Sequence, residues 1–258
     1  MRLMKRILSA AAVLALSASL LVGCSSGTAS SVPVSASYAA ESTVSSVEET
    51  ASSAVDENEA AAAQLLNDLT GSYQELWPVI LADEYKQTWL DDCTALVGED
   101  NAEAAFEKLS SMVTGDVYGE DAVKAYANGG GAYFCGFTNS LAILTFDGET
   151  STISGTDKDG NVLFSHTYHY IGMEPVRGLY EFQSDDADSG EFTYFFLAPD
   201  TSAETYHIEF RYGSDAEALS QYDTGEYAYW LASGISTDCD QTMIDNCIEL
   251  FCTENLAG

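Results

Sequence analysis

Near the C-terminus, Thr205, His207, Glu209 and Arg211 stand two residues apart. On a β-strand such spacing sends every side chain to one face. That face would carry an imidazole, a carboxylate and a guanidinium in a row. Imidazole and carboxylate are both zinc ligands, so His207 and Glu209 form a candidate metal pair. The same types also suit an interior His207 paired with Glu209 and packed among tyrosines. A pocket lined by Thr205, His207, Glu209 and Arg211 could equally hold a small polar ligand.

The elements around this row must position it. Tyr206, Ile208, Phe210 and Tyr212 fill the alternate positions, and strict period two predicts a strand over Thr205–Tyr212. Gly213-Ser214-Asp215 ends it, and Ser214 or Asp215 can cap a short helix over Ala216–Tyr222. An aromatic run, Tyr227-Ala228-Tyr229-Trp230, follows Gly225.

This order of strand, Gly-x-Asp, short helix and aromatic segment resembles the C-terminal part of the ZinT family of bacterial zinc-binding proteins. The same domain ends AdcA-like zinc-binding lipoproteins. The family strand carries His-Phe-His where this chain has Thr205-Tyr206-His207. Its Trp-Pro-Thr-Tyr-Tyr-Pro stands where this chain has Tyr227-Ala228-Tyr229-Trp230. A second anchor, Leu69-Thr70-Gly71-Ser72-Tyr73-Gln74-Glu75-Leu76-Trp77-Pro78, resembles the family's Trp-x-Gly-x-Trp-Gln-x-x-Tyr-Pro. Gly71-x-Tyr73 also resembles the Gly-x-Trp that opens a lipocalin-type barrel. The likeness covers roughly residues 65 to 255 and implies zinc binding beside a metal ABC importer. It also implies a third histidine just before an Ala-Pro; Ala198-Pro199 is present, and that position holds Phe195. Of the three family histidines, His207 is kept. A replacement site could add Glu204, or one of His166 and His169, which point to opposite sides of their strand.

The N-terminus reads as an export signal. Arg2, Lys5 and Arg6 precede an apolar stretch, Ile7 to Val22, too short for a membrane span. Leu20-Leu21-Val22-Gly23-Cys24-Ser25 looks like a bacterial lipobox, which makes residues 1–23 a lipoprotein signal peptide and Cys24 the site of lipid attachment. An ordinary secretory cleavage site is the alternative. Residues 24–57, rich in Ser, Thr, Ala and Glu, read as a disordered tether that cannot bury enough apolar surface to order itself. Residues 58–258 are long enough for one domain with its own core. The expected location is the extracytoplasmic face of the cell membrane, held by the lipid.

Charge excludes whole classes of partner. The 258 residues hold 41 acids against 9 Lys and Arg, a net charge of −32, and three of those bases lie in the signal. Such a chain is expected to avoid nucleic acid and anionic membrane surfaces and to favour cations, although an acidic surface also simply keeps an exported protein soluble. Five cysteines follow Cys24, namely Cys93, Cys135, Cys239, Cys247 and Cys252, with no Cys-x-x-Cys pair to suggest a thiolate zinc knuckle.

Helices are predicted over 59–69, from an Asp83 cap to Leu96, over 102–113, 121–127 and 241–253. Strands are predicted over 132–138, 141–146, 150–155, 162–171, 178–183, 192–197 and 205–212, with Asp147-Gly148 and Asp159-Gly160 as hairpin turns. Asp157-Lys158-Asp159-Gly160-Asn161 imitates the start of a calcium loop but lacks the distal glutamate, so a turn is expected. The fold class is therefore α+β, mostly β: a lipocalin- or calycin-like antiparallel barrel, with an N-terminal helical cap and a C-terminal helix. Motifs for nucleophilic, metallopeptidase, phosphate-loop or dinucleotide chemistry are absent from the sequence. The expected role is non-catalytic: a lipid-anchored protein binding or handing over a divalent metal, zinc first, with a small-ligand pocket or a cell-surface scaffold as alternatives.

Overall fold

The computed structural model describes residues 45–199 and 207–257, with side chains from residue 57. The signal segment, Cys24, Glu204 and Thr205 lie outside the described residues. Residues Val55–Gly258 form one compact unit.

Eight antiparallel strands close into a barrel in chain order: β1 Gly71–Glu75, β2 Ile143–Asp147, β3 Thr152–Thr156, β4 Val162–Met173, β5 Tyr180–Ser184, β6 Tyr194–Leu197, β7 His207–Gly213 and β8 Ala232–Ser236. β8 pairs back onto β1, with Gln74 opposite Ile235. Closure leaves no sheet edge to solvent. The helices are α1 Ser45–Asp68, α2 Leu76–Ile80, α3 Lys86–Val97, α4 Glu99–Val113, α5 Glu120–Ala127, α6 Ala216–Leu219 and α7 Gln241–Leu256.

Two cores divide the apolar side chains. The first fills the barrel and takes in Ala62, Leu65, Leu66 and Leu69, one stripe of α1. The β2–β3 turn presses on this helix, and a side chain at Gly148 would collide with the backbone of Asn67 and Leu66. The second core lies outside the barrel wall, where Trp77 and Ile80 of α2, Trp89 and Cys93 of α3, Leu109 of α4 and Ile248 of α7 meet Ile235 of β8. Asp240 caps α7 by accepting from the Met243 amide at 3.0 Å.

Besides β1, α2 and β8, which no prediction covered, three segments depart from the expectation. Helix α1 begins at Ser45, inside the stretch read as tether, because Ser45 to Asp68 contains neither Gly nor Pro and helix can propagate back from the docked stripe. The residues 132–138 are not a barrel strand. They bridge Thr114 and Trp230 through Phe134 alone, and the following residues close one mouth of the barrel. There Phe137 enters the core, the Trp230 indole donates to Gly136 O at 2.9 Å, and the Phe137 amide donates to Glu75 Oε1 at 2.6 Å. Third, Asp83 opens a single 3-10 turn rather than capping α3, with no side-chain bond to the helix. The Asp157–Asn161 turn is as expected: Asp157 Oδ1 accepts from the amides of Asp159 and Asn161 at 2.9 and 2.8 Å.

Candidate functional site

The register of β7 decides where the charged row points. His207 lies opposite Ile235 and Glu209 opposite Ser233 on β8, while Arg211 lies opposite Phe196 on β6. Directly paired residues share a face. Ile235 belongs to the helical core, so His207, Glu209 and Arg211 leave the barrel outward, into the seam beneath the helices and the 214–231 connection. The alternate residues Ile208, Phe210 and Tyr212 point inward and are essentially fully buried.

Of the readings left open for this row, a polar barrel interior is not what forms. The inside is an interlocked set of rings: Phe195 meets Tyr212 at 5.3 Å, Tyr168 at 5.4 Å and Phe164 at 5.8 Å between centroids. Tyr212 adds a polar tie at the mouth, its hydroxyl accepting from the Thr138 amide at 2.6 Å and donating to Thr138 O at 2.9 Å. A ligand pocket lined by His207, Glu209 and Arg211 inside the barrel does not exist. Thr205, the fourth member of that row, lies outside the described residues.

Around Glu209 the seam brings together groups that no sequence spacing links. Ser233, directly opposite, is buried. Burial pushes the Cys135 thiol up to about 12, and the neighbouring Glu209 carboxylate adds to the rise. Burial likewise pushes Cys247 up to about 12, with Cys239 and Glu209 contributing. Both sulfurs are therefore protonated thiols at neutral pH. Cys247 was legible as a core position on its helix face; Cys135 gave no signal in the sequence.

Arg211 has a structural task. Its guanidinium is fully buried, and Nη1 and Nη2 donate to the carbonyls of Leu219, Gln221 and Tyr227. It thereby holds the connection after β7, which Asp215 starts by accepting from the amides of Glu217 and Ala218. Both Arg211 and Arg177 lie over the Tyr222 ring, at 4.3 and 4.4 Å from its centroid. Glu174, buried in the β4–β5 turn, accepts from the amides of Val176 and Arg177 at 2.8 and 2.6 Å. Burial lowers the Arg211 guanidinium below its usual range, yet a guanidinium stays charged at any physiological pH. Residues 174, 177 and 222 were not singled out from the sequence, since they meet only through folding.

The other two histidines sit elsewhere. Strands β5 and β6 separate β4 from β7. His166 Nδ1 pairs with Asp186 Oδ2 at 2.7 Å, and His169 Nδ1 with Asp185 Oδ1 at 2.6 Å. The segment after β5 is thus pinned to β4 through Asp185 and Asp186 by two imidazoles. The family position held by Phe195 also falls apart from His207. Phe195 pairs with Tyr212 and faces inward, whereas His207 faces outward, so the two positions cannot contribute to one site. Among the described residues, no group of three or more His, Cys, Asp or Glu side chains is gathered closely enough to hold a metal ion.

No family model matches the sequence, and no curated protein matches it. Among solved structures, the chain is similar to the Zn(II)-bound ZinT-like domain of Streptococcus pneumoniae AdcA. The identity is 15%, the TM-score 0.45, and the match covers 71% of this chain and 89% of that one. The first is a ZinT-like domain, the family that the sequence motifs resemble. A second structure, Zn(II)-bound AdcA from Streptococcus pneumoniae, matches at 14% identity and a TM-score of 0.43, covering 72% of this chain and 35% of that one. The chain thus spans about a third of whole AdcA.

Proposed function

We propose that this chain is a lipid-anchored, extracytoplasmic, non-catalytic domain that binds a divalent metal, zinc first, and hands it to an importer. The observation that carries the reading is the placement of His207 and Glu209 on one outward face of β7, in a seam that also holds the Cys135 and Cys247 thiols beside Glu209. Imidazole and carboxylate are zinc donor types, whereas the two sulfurs are protonated thiols and not the thiolates that zinc takes. His207 and Glu209 would hold the ion, and the described residues do not complete the site by themselves. Glu204, one of the alternative further donors considered from the sequence, lies outside the described residues.

Zinc titration of the full chain tests this. One saturable site is expected in physiological salt and excess magnesium, conditions that screen weak binding to the acidic surface. Its affinity should fall as pH drops through the imidazole range, near 6.5, because proton and metal compete for the same nitrogen. His207→Ala should weaken binding by more than the ~10–100-fold seen for groups that only support a ligand. His166→Ala and His169→Ala should leave it unchanged. Equal binding by wild type and His207→Ala would leave a cell-surface scaffold as the reading.

The anchor is tested separately. Among the described residues no helix is long and apolar enough to cross a membrane. Cys24→Ala is expected to shift the protein from the detergent-extracted membrane fraction to the soluble fraction, because the acyl chains at that residue would be the attachment. Retention of the variant in salt-washed membranes would contradict lipid attachment there.

A further inference from the structure

The geometry points to a disulfide site between Cys93 and Cys252 that fastens helix α3 to helix α7. The two sulfurs lie 3.9 Å apart, in contact, on helices separated by 159 positions in sequence. Both residues are fully buried. The helices are held together at the same level by ring contacts: Trp89, one turn before Cys93, meets Phe251, the neighbour of Cys252, at 6.0 Å and 80°. Phe251 also packs edge-on against Trp77 at 4.8 Å. The pair therefore sits in a fixed place within the second core. Bonding requires the sulfurs to close from van der Waals contact to about 2.05 Å, a movement that side-chain rotation and a small helix shift can supply.

The chemistry needs an oxidant of the disulfide class, such as oxidised glutathione or a thiol–disulfide oxidoreductase. The thiolate of one cysteine attacks a sulfur of the oxidant and forms a mixed disulfide, releasing one thiol. The second cysteine's thiolate then attacks the protein-side sulfur, forming the Cys93–Cys252 bond and releasing the other thiol. The chain loses two electrons and two protons, and the oxidant disulfide becomes two thiols.

The native fold slows this step. Burial raises both thiols, and Asp92 beside them raises them further, so the reactive thiolate is scarce in the folded chain. Neither sulfur is open to an oxidant. The bond forms during folding or after local opening. Once made, it closes a loop of more than 150 residues, the case in which a cross-link restricts the unfolded chain most.

The test is to refold the full chain, purified in detergent, with an excess of oxidised glutathione, then block free thiols and cut after glutamate. Cleavage isolates Cys93 in residues 85–99 and Cys252 in residues 250–254. The expected product is these two peptides joined, lighter by two hydrogens than their sum and separated by a phosphine reductant. The oxidised chain should melt roughly 5–10 °C above the reduced one. Incubating the folded chain without denaturant should give much slower joining than incubation near the unfolding midpoint. Blocked Cys93 and Cys252 after oxidative refolding would overturn the site. So would a cross-link that instead uses Cys239 or Cys247. A joined pair with an unchanged or lower melting point would overturn its fastening role. The wild-type map needs no variant, so a poorly folding Cys93→Ser does not affect the outcome.

Discussion

Arg211→Met is expected to destabilise the domain by about 3 kcal/mol in urea unfolding, among the largest effects of any single exchange outside the barrel core. Methionine keeps most of the aliphatic bulk and removes the donors. The carbonyls of Leu219, Gln221 and Tyr227 then lose their shared partner in a site from which Arg211 itself is wholly excluded from solvent. A buried carbonyl without a partner costs about 1–3 kcal/mol. Removal of a desolvated charge, and water entering the space, offset part of that loss. The penalty should be independent of pH between about 5 and 9, because a guanidinium does not titrate there. Proteolysis should show the same change locally, as faster cleavage within residues 216–227. A loss below 1 kcal/mol would mean that the connection after β7 is held by its aromatic packing, with Tyr227 and Trp230, and not by the arginine.

Phe195→His is the second large effect, and it decides how the family pattern maps onto this chain. The exchange restores the histidine that the resemblance expects before Ala198-Pro199. If the mapping describes one site, zinc affinity should rise. The register argues the opposite: position 195 faces the ring cluster of Tyr168, Phe210 and Tyr212, and His207 faces the other side of the barrel wall. The expected result is a loss of about 3–5 kcal/mol, comparable with Phe195→Ala, and no gain in zinc binding. The loss should deepen as pH falls. A histidine buried without a carboxylate partner has its folded pKa depressed, while the unfolded chain binds a proton near 6.5. Destabilisation is therefore smallest above the unfolded value and grows as pH drops through it. Tighter zinc binding by Phe195→His would refute the two-face assignment.

The strands that sequence alone determined are those whose two faces differ in chemistry. β7 was legible because Ile208, Phe210 and Tyr212 alternate with His207, Glu209 and Arg211, and a period of two admits no other element. The Asp147-Gly148 and Asp159-Gly160 turns were legible because their residue types demand tight turns. α7 was legible from the stripe of Ile244, Cys247, Ile248 and Phe251. β8 was not, because Ala232-Ser233-Gly234-Ile235-Ser236 is a run of small residues with little strand preference of its own. It is a strand because β7 and β1 both need a partner there, and because Ile208 packs closely over Gly234.

Which face of β7 looks into the barrel was a tertiary decision. Alternation separates two sets of side chains but does not say which is inside; a polar interior and an aromatic interior have the same period. The aromatic set won because its rings fill the enclosed space against Phe164, Tyr168 and Phe195. The charged set lies outside: Arg211 donates to backbone carbonyls of a connection eight to sixteen residues downstream, and Glu209 stands opposite a serine on the next strand, close enough to the thiols of residues 135 and 247 to raise them. The sequence thus determined a strand bearing His207 and Glu209 on one side, while only the folded barrel decided that this side faces the helices.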